Sequence, residues 1–232
     1  MKAELIVAER KTLEGVIYDE LRKRIISLAY KPGEMIFENV VAAEFEVSRT
    51  PVRQAFQRLS NDGLIQVLPQ RGARVSLLSI AKINETQFVR ESLEISAFAQ
   101  IAKIWDDSQD LYRKADTEIT AIIEKQKASV AAQDYLWFTQ LDEEYHTAII
   151  RMTGNRTLLS IVNEMRAHLN RIRYLELQDA HHEERAIGHH EEILAAIRMN
   201  DVAGTVEKLT AHLKILEAFR PRIFENHRDM FV

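Results

Sequence analysis

The sequence predicts a mainly α protein in two parts, a helical head carrying one β-hairpin and an all-helical body, and three observations predict it. Apolar residues recur at the three- and four-residue spacing of amphipathic helices along most of the chain. Strand-like patterning is confined to residues 64–75, where it flanks the turn residues Pro69-Gln70-Arg71-Gly72. The charge also changes sign: residues 1–78 hold 12 Lys and Arg against 10 Asp and Glu, whereas residues 79–232 hold 19 against 25, for a net charge of −4. A head over 1–78 and a body over 79–232 follow, and the mildly basic head keeps attraction for polyanions local to itself.

In the head, residues 12–29 place Leu13, Val16, Ile17, Leu21, Ile25 and Leu28 on one helical stripe that should pack on the rest of the head. A helix follows over 38–46, with Val40, Val41 and Phe45 at core spacing and Glu46 at the turn. The next helix has Ser48 as N-cap and Pro51 in the first turn, where a missing N–H is harmless. Val52, Ala55, Phe56 and Leu59 form its buried face, which leaves Arg49, Arg53, Gln54, Gln57 and Arg58 for the others. No acidic residue lies between Arg49 and Asn61, so this helix carries an isolated positive surface suited to a phosphate-lined groove. Helix, short turn and helix form a helix-turn-helix. After Asp62-Gly63, the strand 64–68, the turn and the returning strand 73–75 form a wing with Arg71 at its tip, placed to approach a backbone phosphate or a minor groove.

The body reads as a bundle of six to seven helices, at about 80–104, 109–130, 132–152, 155–178, 183–199 and 201–226. Leu158, Leu159, Val162, Met165, Leu169, Ile172 and Leu175 show the stripe one such helix buries. A bundle of this size can enclose a small ligand. The chain has no cysteine, which excludes disulfides and thiolate chemistry. No apolar run approaches the roughly 20 residues of a membrane span, and Met1 to Arg10, with Glu4 and Glu9, is unlike a signal peptide. A cytoplasmic protein with no membrane partner is expected.

The body holds one constellation able to carry chemistry. Asp142 and His146 stand one helical turn apart on a shared face. His190 and His212 fall on the next-to-last and last helices, which a short turn around Asn200-Asp201 allows to pack antiparallel. One carboxylate oxygen and three imidazole nitrogens suit Zn, Ni, Mn, Fe or Co, with open positions left on an octahedral ion. His189 is an alternative ligand or a supporting neighbour of His190, while His168, His181, His182 and His227 are read as ordinary polar residues.

The run Ser48-Arg49-Thr50-Pro51-Val52-Arg53, with Pro32-Gly33 before it and Gln70-Arg71-Gly72 after it, resembles the GntR family of bacterial transcription factors. The resemblance implies that Ser48, Arg49, Thr50 and Arg53, with Gln70, Arg71 and Gly72 of the wing, contact double-stranded operator DNA. Asn39 stands where some relatives carry a DNA-contacting arginine, and Gln54 replaces a frequent Glu, so the operator sequence does not carry over. A head of this type before a helical body with Asp-x-x-x-His and two later histidines resembles the FadR subgroup with its FCD ligand-binding domain. That likeness implies that Asp142, His146, His190 and His212 hold a divalent transition metal, Zn, Ni or Mn foremost, which helps to bind a small carboxylate effector. It also places Arg90 near the effector, although Arg90 and Glu94 have the i, i+4 spacing of a helix-surface ion pair. A homodimeric repressor whose operator affinity is set by an organic or sugar acid is expected, and not an enzyme. Two other readings exist. The ion could itself be the signal, or it could activate water with Glu143, Glu144, Glu191 or Glu192 as base, a hydrolase that would leave the basic helix and wing without a purpose.

Overall fold

A computed structural model describes residues 12–180, 182–218 and 220–232, which form two compact units dividing between Leu77 and Leu78. The reading of Met1 to Arg10 as unlike a signal peptide and the assignment of His181 fall outside the described residues.

The first unit runs α1 (Leu13–Ile26), β1 (Met35–Ile36), α2 (Glu38–Glu44), α3 (Arg49–Asn61), β2 (Ile65–Leu68) and β3 (Gly72–Val75). Ile17, Leu21 and Ile25 of α1 are buried where α1 packs on α3, whose Val52, Ala55, Phe56 and Leu59 are buried in turn. The Tyr18 hydroxyl donates to Asp62 Oδ2 at 2.5 Å, and Arg58 stacks 3.7 Å from the Tyr18 ring centroid, so α1 also braces the far end of α3. Val40 is 56% exposed and Ala42 buried, which corrects the predicted face of α2: Val41 and Ala42, not Val40, meet the core. Ser48 occupies the N-cap of α3 in extended backbone but its side chain makes no capping hydrogen bond.

The predicted hairpin is present, with Ile65 opposite Val75 and Leu68 opposite Gly72. A third strand, β1, lies on the other side of β3, with Met35 opposite Arg74 and Ile36 opposite Ala73. Two residues are too few to show alternation, so no pattern marks this strand in advance. This strand explains Gly72: its φ is +93° and a Cβ there would lie 2.6 Å from the Ile36 carbonyl oxygen, so the wing turn closes only on glycine.

The second unit contains α4 (Ile80–Ile104), α5 (Asp110–Ala131), α6 (Tyr135–Arg151), α7 (Arg156–Ala180), α8 (Glu183–Arg198), α9 (Val202–Leu213) and α10 (Arg220–Asn226), with a 3-10 turn at Ile215–Ala218. Phe98, Ile101, Tyr145, Ile149, Ile193 and Leu209 represent the shared core. Helix α4 runs against α6, α7, α8 and α9, and α5 against α6 and α8, so polar groups on these six helices can converge inside the bundle. The single predicted helix over 201–226 is broken. Helix α9 stops at Leu213, whose carbonyl accepts from Gln87 Nε2 at 2.9 Å, and Pro221 sits in the first turn of α10. Beyond α10, the Leu78 N–H donates to the Met230 carbonyl at 2.8 Å and the Val232 N–H to the Leu78 carbonyl at 2.9 Å. Among the described residues no helix is long and apolar enough to cross a membrane.

Candidate functional site

Asp142 and His146 project from one face of α6, His190 from α8 and His212 from the last turn of α9. One donor atom from each lies within 4.8 Å of all the others, and all four residues are buried. His146 Nε2 and His212 Nε2 are 3.0 Å apart, and His190 Nε2 and His212 Nε2 are 3.2 Å apart. Asp142 Oδ1 lies 3.5 Å from His190 Nε2 and 3.8 Å from His212 Nε2.

The surroundings decide which ring nitrogens face inward. His146 Nδ1 is 2.7 Å from Glu94 Oε2 of α4, and His190 Nδ1 is 2.9 Å from Gln126 Oε1 of α5. Both partners are acceptors, so each Nδ1 carries the proton and each Nε2 turns a lone pair to the centre. The Tyr145 ring stacks on His190 at 3.9 Å and its hydroxyl donates to the His190 carbonyl, which fixes the ring plane. His212 can supply at most one proton to its two Nε2 neighbours, so at least one pair of lone pairs faces with nothing between. A cation resolves that conflict, and the donor set fits one. Two nitrogens each about 2.1 Å from one ion stand ~3.0 Å apart at a right angle and ~3.4 Å apart at the tetrahedral angle, which brackets the observed separations.

Electrostatics agree with neutral imidazoles and an ionised carboxylate. Burial pushes His190 down to about 3 and depresses His146 and His212 as well. Burial works against charge on Asp142, yet Arg173, with Nη1 2.6 Å from Oδ2, holds its carboxyl well below the usual carboxylate range. Glu94 is likewise held low against burial, chiefly by Arg90. Arg90 Nε and Arg166 Nη2 both reach Glu94 Oε1 at 2.8 Å. The Arg90–Glu94 pair therefore exists, but it is buried rather than on the helix surface.

His189 is half-buried, with its ring centroid 6.1 Å from that of His212, and does not join the converging set. Sequence reasoning missed Glu94 as a support for His146, and it missed Gln126, Arg166 and Arg173. A signal existed on α4, where Arg90 and Glu94 continue the stripe of Ile83, Ala97, Phe98 and Ile101; a polar pair on a buried stripe needs partners.

The residues assigned to DNA lie on the first unit. Ser48, Arg49, Thr50, Arg53, Gln70 and Arg71 are exposed, and an open cleft of about 530 Å³ is lined by Asn39, Arg49, Arg53, Gln57, Gln70 and Arg71 among others. Arg53 donates through Nη2 and Nε to the Glu38 carboxylate at 3.0 and 3.2 Å, which fixes the direction of an otherwise exposed side chain. Gln70 has φ +60° at the wing tip, next to Arg71. A basic helix beside a basic hairpin tip is the arrangement that meets a duplex through groove and backbone together.

Residues 13–75 match the family described as bacterial regulatory proteins, gntR family, and residues 85–215 match the FCD domain. The chain belongs to the GntR family and carries an FCD domain. The gluconate operon transcriptional repressor of Bacillus subtilis is 32% identical over 195 residues, covering 82% of this chain and 77% of that protein. The HTH-type transcriptional repressor RspR of Escherichia coli is 26% identical over 215 residues, covering 93% and 92%. Among solved structures, E. coli McbR/YncC superposes with a TM-score of 0.78 at 19% identity, over 94% of this chain and 99% of that one. A structure described as a metal-free FCD domain superposes with a TM-score of 0.51 at 22% identity, over 63% and 96%.

Proposed function

We propose that this GntR-family regulator is a cytoplasmic homodimeric repressor of the FadR subgroup, in which a divalent transition metal in the FCD unit and a small carboxylate effector set operator affinity. In this reading Ser48, Arg49, Thr50, Arg53, Gln70, Arg71 and Gly72 meet the operator, and Asp142, His146, His190 and His212 hold the ion. The observation that carries it is the convergence of three inward-facing Nε2 atoms on a carboxylate inside a bundle whose companion unit has a basic recognition face.

When bound, the ion supplies Lewis acidity and open positions for an oxygen ligand. Arg90 supplies the fork that grips a carboxylate, and Glu94 holds Arg90 beside His146. Burial of every donor supports a resident ion and an organic signal, rather than an ion that comes and goes as the signal itself. Two heads in a dimer would read half-sites about one helical turn apart, and an effector that shifts the bundle would change that match. The relative named for a gluconate operon makes sugar acids a natural first set of candidates.

The test is an operator titration by fluorescence anisotropy with metal-loaded protein, alone and with a panel of organic and sugar acids. At least one acid should weaken binding about tenfold or more, a free-energy difference of ~1.4 kcal/mol. Unchanged affinity across the panel, with metal present, would reject effector control.

A further inference from the structure

The basic face of the first unit holds one acidic side chain where attraction for a polyanion alone would exclude it. The cleft between α3 and the wing tip is lined by Arg49, Arg53 and Arg71, and Glu38 of α2 is the single carboxylate among the described residues that line it. A carboxylate facing phosphates weakens their attraction. Fold stability does not account for it either, because an ion pair with one partner largely in water contributes little.

What Glu38 supplies is direction. Its side chain is 22% exposed against 71% for Arg53, so the carboxylate is the anchored partner and the guanidinium the presented one. Glu38 Oε1 accepts from Arg53 Nε and Oε2 from Nη2, which occupies the side edge of the guanidinium. The end fork, Nη1 with the second hydrogen of Nη2, has no partner among the described residues. That fork offers two parallel donors, the pattern that meets guanine O6 and N7 in a major groove. Arg53 stands in the second turn of α3, in the half of a recognition helix that reaches base edges. A phosphate contact needs charge more than direction, and Glu38 cancels charge. Base reading needs direction, and a guanidinium already held loses less rotamer freedom on binding. Arg49 and Arg71 have no carboxylate partner among the described residues, as suits contacts to phosphate.

We propose that Glu38 is a positioning residue that aims the end fork of Arg53 at a guanine of the operator, so that this base is specified by the pair and not by Arg53 alone. The proposal rests on the operator-binding reading and adds to it a specificity residue on α2.

The full-length protein selects a site from a library of random duplexes. The selected duplex is then titrated by fluorescence anisotropy with each guanine in turn replaced by 7-deazaguanine, which lacks the N7 acceptor. For the wild type, one such replacement should weaken binding about fivefold or more, and Arg53→Ala should be insensitive at that same guanine. Glu38→Gln should weaken binding to the selected duplex about fivefold or more and shrink the penalty at that guanine to within about twofold. It should bind poly(dI-dC) at least as tightly as the wild type, because a negative charge has gone. A residue that only supports the fold would weaken both DNAs together and leave the base preference unchanged. If Glu38→Gln lowers the melting temperature, Glu38→Asp, which keeps the charge but is too short to span Nε and Nη2, is read in the same way. A full guanine penalty in a folded Glu38 variant, or tighter binding of that variant to the selected duplex, would overturn the proposal and leave operator binding standing. A wild-type scan with no guanine that depends on Arg53 would do the same. Failure of the wild type to select any sequence would overturn the operator reading with it.

Discussion

The recognition face of the first unit and the centre of the second are both built from charged side chains, and they differ in what surrounds the charge. Arg53 is 71% exposed and holds one partner, Glu38, at the surface. Arg90 is 1% exposed and belongs to a chain of contacts running through Glu94 to His146 and the other imidazoles. Charges in water act one at a time and are screened by salt, whereas charges in a dry interior are locked to each other and must balance. The first arrangement suits additive contact with a long polyanion, and the second suits a cooperative response to a small ligand. Substitutions at the two places should therefore fail differently.

The largest effect is expected at the centre. Asp142→Ala removes a proposed ion ligand and leaves Arg173 buried without its anion, so metal affinity in a chelator competition should fall by more than about a hundredfold and the melting temperature should drop. Retained stoichiometric metal would break the comparison at once. Glu94→Gln keeps shape but removes the charge that orients His146 and joins it to Arg90 and Arg166. Metal affinity should weaken about 10- to 100-fold, and nitrogen-15 spectra of the histidines should show loss of the fixed His146 tautomer. An unaltered spectrum would contradict the role given to Glu94.

The exposed face should respond more locally. Arg49→Ala should weaken operator binding by ~1–3 kcal/mol if it reads a base, or reduce the salt slope by about one if it meets a phosphate. Metal content should not move. Metal lost together with DNA binding would mean that the two regions are not separate.

The smallest effect concerns Glu176 and has a definite sign. Its carboxyl is raised to about 8 by burial, so the folded state binds more protons than the unfolded chain between the ordinary carboxylate range and pH 8. Stability from this group is present at low pH and is lost as pH rises through that window. His190, pushed down to about 3, acts in the opposite sense, and its contribution fades as pH falls below 6.5. Glu176→Gln should raise the melting temperature by several degrees at pH 8 and change it little at pH 5. Equal shifts at both values would show that Glu176 is charged throughout.

The legible parts of the molecule are those written by local rules. Helix α4 spans 80–104 as its periodicity requires, and the wing follows from Pro69 to Gly72 between two short strands. The Asp142–His146 pair is a one-turn spacing, and His190 and His212 needed only an antiparallel turn between α8 and α9. The break after Leu213 was hidden because apolar spacing continues through Ile215 and Leu216, while the group that meets the last helical carbonyl, Gln87, comes from more than a hundred residues earlier. Glu94, Gln126 and Arg173 were hidden for the same reason: each reaches the site from a separate helix, and no spacing in the sequence records which helices touch. Strand β1 is too short to have a pattern, and Gly72 marked its presence only through the close approach of the Ile36 carbonyl.

The measurement that bears most directly on the central claim is elemental analysis of the untagged protein followed by X-ray absorption spectroscopy at the edge of the metal found. About one divalent transition metal per chain is expected, with a coordination shell of nitrogen and oxygen and the multiple-scattering signature of three imidazoles. Absence of metal under every loading condition, or a shell without imidazoles, would contradict it and reduce Asp142, His146, His190 and His212 to a polar core.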